Sequence, residues 1–189
     1  MYKCDKIIIH ITFLPGRKTM LEFLYPKEYL PSVLDITPEK LKKLGINTMI
    51  FDIDNTLVPY WIKVPTPELE RYFLNLRENG ITPSVLSNSR EERSKVFCAG
   101  MAIPYVYRAG KPLVHGMIKL LELLGKKPSE CAIAGDQIFT DVWVGNRCGV
   151  YSFLIKQVSP KDELITAPKR PLERLIVRHY CKKYNKTYL

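Results

Sequence analysis

The hexapeptide Asp52-Ile53-Asp54-Asn55-Thr56-Leu57 directly follows the apolar run Thr48-Met49-Ile50-Phe51. A run of that kind reads as a buried strand, and here it ends in two carboxylates two residues apart. Gathering negative charge at the edge of an apolar layer is unfavourable without a counterion, and a divalent metal is the simplest one. The fold must therefore bring further polar groups to the end of this strand.

The order of elements allows that. A short helix from Pro38 to Leu44, stopped by Gly45, precedes the strand Ile46 to Ile53. Pro67 starts a helix whose Leu69, Tyr72, Phe73 and Leu76 share one face, and Gly80 ends it before the strand Ile81 to Leu86. Ser89 is placed to cap a helix from Arg90 to Ala99. Strand Tyr105 to Tyr107, helix Val114 to Leu124, strand Cys131 to Ala134, helix Thr140 to Arg147 and strand Val150 to Ile155 complete the alternation. The pattern predicts an α/β fold, a parallel sheet with helices on both faces, and ligands in such sheets lie beyond the carboxyl ends of the strands.

The polar residues obey that rule. Asp52 and Asp54 follow one strand, Ser87 and Asn88 the next, Lys111 lies in the loop after Tyr105 to Tyr107, and Gly135-Asp136 follows a later strand. Three carboxylates in one place repel each other, and magnesium relieves this through hard oxygen ligands while keeping room for water and a substrate phosphate. Asp52, Asp54 and Asp136 are the candidate ligands. Lys111, Ser87 and Asn88 suit phosphate oxygens, although Asn88 serves the turn backbone equally well. Shielded in this way, Asp52 can attack phosphorus, and Asp54 can protonate the leaving oxygen and then deprotonate water.

These residues resemble the haloacid dehalogenase superfamily of phosphohydrolases. Its DxDxT motif is matched by Asp52 to Thr56, its Ser/Thr motif by Ser87, its lysine by Lys111, and its acidic motif by Gly135-Asp136 with Asp141 beyond it. Finer likeness, in Phe51 to Pro59, Ser87-Asn88-Ser89, Ala109 to Pro112 and Gly135 to Asp141 through Gly145-Asn146-Arg147, is to the YqeG-like branch of subfamily IIIA. That branch includes relatives acting on phosphatidylglycerophosphate. The resemblance implies a three-layer αβα sandwich with a Rossmann-like sheet, catalytic Asp52, Asp54, Ser87 and Lys111, a magnesium ion, and a phosphomonoester substrate, here an anionic phospholipid. Thr56 and Asp141 are supporting residues; Asp141 could bind metal, orient Lys111 or begin a helix.

The likeness begins near Met20, so residues 1–19 are expected to be a variable extension, 20–158 the catalytic domain and 159–189 a basic tail. Neither stretch flanking Ser87-Asn88 is long enough for an inserted cap domain, which leaves the site open. Val58-Pro59-Tyr60-Trp61-Ile62 could meet a lipid or simply cover the core edge. In the tail, Leu172, Leu175, Ile176 and Tyr180 fall opposite Arg170, Arg174 and Arg178, an amphipathic helix suited to an anionic membrane or to packing on the domain.

Composition fits this reading. A hydrophobic content of 46% over 189 residues is ample for a core, and a net charge of +10 calls for an anionic partner. Five scattered cysteines without CxxC pairing argue for reduced thiols. No apolar stretch is long enough to span a bilayer, and Ile7 to Ile11 is too short for a secretory signal, so the expected location is the cytoplasm, with a membrane surface allowed. A phosphatase of soluble metabolites or phosphoproteins is the alternative. A nucleic-acid-binding protein ranks last, since it would leave the acidic set idle. Oligomeric state is not legible.

Overall fold

The structure, a computed structural model, describes residues 20–160 and 167–189; the expected extension 1–19 lies outside them. In chain order the elements are β1 (Glu28–Leu30), α1 (Pro38–Lys43), β2 (Thr48–Phe51), α2 (Pro67–Glu78), β3 (Thr82–Leu86) and α3 (Glu91–Ala99). There follow β4 (Tyr105–Val106), α4 (His115–Leu124), β5 (Cys131–Gly135), α5 (Trp143–Cys148), β6 (Tyr151–Ile155) and α6 (Arg170–Lys183). The six strands form one parallel sheet in the order β1-β6-β5-β2-β3-β4.

Strand alternation sorts the core into two faces. Met49 and Phe51 of β2 pack with Leu41, Phe73, Leu76 and Phe97, so α1, α2 and α3 cover one side. Ile50, between them, points the other way to Met117, Leu120 and Val144 of α4 and α5. This is the period of two expected of a strand buried on both faces, and it makes the expected αβα sandwich. Leu154 of β6 joins a further cluster with Ile138, Val142, Ile176, Val177 and Tyr180, through which α6 is docked.

Local signals set the helix ends. Thr66 accepts a hydrogen bond from Leu69 N at 3.3 Å and Pro67 occupies the first turn of α2. Gly125, at φ 62°, closes α4 in the left-handed conformation that glycine adopts without penalty.

Four expectations change. β1 is a strand that hydrophobic periodicity did not reveal, since three residues are too few to show alternation. Ser89 does not cap α3: Arg90 stands at that position without a side-chain cap bond, and the Ser89 hydroxyl is used elsewhere. The helix expected from Thr140 begins as a π-helical turn, Ile138–Val142, before α5 continues it. In α6 the buried face is Glu173, Ile176, Val177, Tyr180 and Cys181 together with Arg170, while Leu172 and Leu175 are exposed, so the stripe lies about a third of a turn from where it was placed. Arg170, expected on the basic face opposite the apolar stripe, has buried acidic partners instead.

Candidate active site

Asp52 and Asp54 leave the carboxyl end of β2, Ser87 to Ser89 that of β3, Lys111 follows β4, and Asp136 and Asp141 follow β5. They converge as the sequence implied. Lys111 Nζ donates to Asp52 Oδ1 at 2.7 Å and to Asp141 Oδ1 at 2.6 Å, with all three side chains buried. Carboxylate oxygens of Asp52, Asp136 and Asp141 lie within 4.8 Å of one another. Thr56 Oγ1 donates to Asp136 Oδ1 at 3.2 Å.

The loop that carries Lys111 is fixed from both sides. Gly110 has φ 69°, and a Cβ there would stand 2.7 Å from the His115 ring. Asn88 then clasps the lysine backbone, donating through its amide to Lys111 O at 3.0 Å and accepting from Lys111 N at 2.8 Å. Of its two expected roles the structure shows the backbone one. Ser87, buried on the same cleft, accepts from Ser89 N at 3.1 Å.

Asp54 borders the cleft but lies outside the acidic cluster. Its Oδ2 accepts from Ser89 Oγ at 2.6 Å, and its Oδ1 accepts from Arg93 Nε at 3.0 Å and from the terminal guanidinium nitrogen at 2.9 Å. The carboxylate grouped with Asp52 and Asp136 is Asp141, where the sequence reading had placed Asp54. Asp141 Oδ2 is also held, by Gln137 N at 3.2 Å and Thr140 Oγ1 at 3.1 Å. Both bonds lie at the π-helical turn Ile138–Val142 and the residue before it.

Two site residues were not foreseen. Arg93 stands four residues after Ser89, one helical turn, and that spacing was the available signal. Arg170 pairs with Asp136 Oδ2, donates to the Asp136 carbonyl at 2.8 Å and to Glu173 Oε2 at 3.0 Å. No motif marked it.

The electrostatics follow from burial. Desolvation raises the Asp52 carboxyl well above its ordinary range; Lys111 opposes this and Asp141, Asp136 and Asp54 reinforce it. Desolvation likewise lifts Asp136 to about 7 against the pull of Arg170. Burial works against the Lys111 charge, but Asp141 and Asp52 outweigh it and keep the ammonium firmly protonated. Buried carboxylates whose charge is this poorly compensated, with oxygens converging at close range, fit a small divalent cation. The cleft above them, about 540 Å³, is also bordered by Tyr60, Arg90 and Lys169.

Residues 60–149 match the family described as haloacid dehalogenase-like hydrolase. The chain is 36% identical over 162 residues to "Probable phosphatase YqeG" of Bacillus subtilis, covering 86% of this chain and 94% of that one. It is 29% identical over 177 residues to "Phosphatidylglycerophosphate phosphatase 1, chloroplastic/mitochondrial" of Arabidopsis thaliana, spanning 86% of this chain but about half, 49%, of that protein. Among solved structures it overlaps a deoxy-D-mannose-octulosonate 8-phosphate phosphatase of Haemophilus influenzae with a TM-score of 0.47 and 18% identity, over 72% of this chain and 90% of the other. The chain belongs to the haloacid dehalogenase-like hydrolases. Within them it is similar to the YqeG phosphatase of Bacillus subtilis over most of its length.

Proposed function

We propose that this hydrolase is a magnesium-dependent phosphomonoesterase that works through a phosphorylated Asp52, with phosphatidylglycerophosphate at an anionic membrane surface as its substrate. The observation that carries the reaction class is the bridge of Lys111 between Asp52 and Asp141 beside Asp136, at the carboxyl edge of the sheet.

Asp52, Asp136 and Asp141 would hold the cation, which when bound supplies positive charge to phosphoryl oxygens and offsets the carboxylates. An Asp52 oxygen attacks phosphorus while the bond from phosphorus to the ester oxygen breaks, and Asp54 donates its proton to the departing alkoxide. Water then attacks the same phosphorus, gives its proton to Asp54 and displaces Asp52, releasing inorganic phosphate. Lys111 has spent two of its three N–H donors on carboxylates and retains one for the phosphoryl group. The Ser87 hydroxyl can donate a second hydrogen bond. Ser89 and Arg93 keep Asp54 aimed at the cleft.

Support for the lipid comes from the Arabidopsis relative and from the surface. Trp61, Val64, Leu172 and Leu175 are exposed, Arg174 and Arg178 stand beside the last two, and Tyr60 and Lys169 bring the Trp61 loop and the start of α6 to the same cleft. Among the described residues no helix is long and apolar enough to cross a membrane; the contact proposed is a peripheral one at the cytoplasmic face.

The test is phosphate release from phosphatidylglycerophosphate in anionic vesicles and from soluble phosphate esters, with magnesium or with chelator. Asp52→Asn should lose at least about a thousandfold in turnover. Native turnover by that variant would overturn the nucleophile, and activity confined to soluble esters would overturn the lipid.

A further inference from the structure

The matched family region ends at Gly149, yet the acidic cluster is braced by a helix that begins only at Arg170. Arg170 grips Asp136 at two points, the carboxylate Oδ2 and the main-chain carbonyl, while Thr56 holds Oδ1. The same guanidinium donates to Glu173, whose other oxygen accepts from Phe139 N at 3.0 Å in the turn that carries Asp141. All of these side chains are buried. Two of the three clustered carboxylates are thus tied, directly or through one intermediary, to the first turn of α6.

We infer that Arg170 is a positioning residue for the cation site: it fixes the Asp136 carboxylate and, through Glu173, the turn bearing Asp141, so that α6 completes the active centre. This rests on the reading of Asp52, Asp136 and Asp141 as the cation ligands. A guanidinium beside a cation site would by itself repel the cation. Here Glu173 offsets that charge, so the trio of Asp136, Arg170 and Glu173 remains net negative and orientation of the ligand is the larger effect. Outer partners of metal ligands are worth about 10- to 100-fold in affinity.

The test is manganese binding to the metal-free full-length chain without substrate, followed by electron paramagnetic resonance of the unbound ion. The native chain should bind, Arg170→Gln should bind about 10- to 100-fold more weakly, and Arg170→Lys should recover part of the loss. Val177→Ala, which loosens the docking of α6 without touching Asp136, should lower the melting temperature and leave manganese affinity unchanged. Should Arg170→Gln fail to fold by circular dichroism, Arg170→Lys and Glu173→Gln decide, both expected weaker than native. Equal or tighter binding by the variants would make Arg170 a mere counterion and overturn the inference. Absence of binding by the native chain would instead overturn the cation reading beneath it.

Discussion

Gly135 and Asp141 fill adjoining space so closely that a Cβ on the glycine would stand 2.1 Å from Asp141 Cγ and 2.4 Å from its Oδ2. The backbone of Gly135 needs no unusual dihedral, so what matters is the missing side chain. The use of this glycine is to let a carboxylate lie across the end of β5. Gly135→Ala must push Asp141 off Lys111. We expect turnover to fall at least about a hundredfold, because a displacement near 1 Å in a catalytic constellation has that effect. Unfolding should become easier by about 1–3 kcal/mol, the range for overpacking a closed site. Phosphate release and thermal melting check both, and an alanine variant with native turnover would refute the steric account.

Arg93 and Ser89 share Asp54, and Arg93 presents a planar fork that lysine cannot reproduce. Arg93→Gln should lower kcat about tenfold or more, a fraction of what general acid-base catalysis contributes. Arg93→Lys should restore little of it. Manganese affinity should stay at the native value, since Asp54 lies outside the clustered carboxylates; a parallel loss of affinity would place Asp54 among the ligands after all.

Docking of α6 on the domain carries its own energetic signature. Ile176 is 3% exposed within a cluster that includes Ile138, Val142 and Leu154. Ile176→Ala should destabilise the protein by about 2–5 kcal/mol, the usual result of truncating a buried aliphatic side chain. Leu175→Ala, at a position 60% exposed, should change stability by less than about 0.5 kcal/mol. Chemical denaturation of the two variants measures the difference, and equal effects would contradict the observed face of the helix.

Burial pushes the Cys98 thiol up to about 12 and those of Cys131 and Cys148 to about 11, and raises Cys181 as well. For an acid whose pKa is raised, the reactive anion becomes scarcer at a given pH; at pH 8 a thiol titrating near 11 is thiolate in about one molecule per thousand. In a Cys4→Ser chain, Ellman's reagent at pH 8 should therefore report well under one reactive thiol until denaturant is added. Prompt reaction of several thiols in the native state would contradict the packing of β5 and α5.

What the sequence made legible and what it hid divide along a physical line. The strand ends carrying Asp52, Ser87 and Asp136 could be read because buried apolar runs stop abruptly at polar residues. Lys111 could be placed because a parallel sheet delivers its loops to one edge. Arg170 could not, since a buried ion pair between residues 34 apart leaves no local pattern, and on a basic helix it looks like its solvated neighbours. Ser89 was misread for a related reason: a serine before a helix is a good cap, and only the fold brings Asp54 within reach to compete for its hydroxyl. The rotation of the α6 face has the same origin, because Leu172 and Leu175 outrank Val177 and Cys181 in any count of apolar residues until partners are known.

Among the described residues the sheet ends on both sides in very short strands, three residues in β1 and two in β4, while the fully buried strands β2 and β5 lie in the middle. An unpaired strand edge is a template on which another chain can add by main-chain hydrogen bonds, and short edges offer little to copy. The parallel sheet therefore keeps its most aggregation-prone segments out of reach of neighbouring molecules.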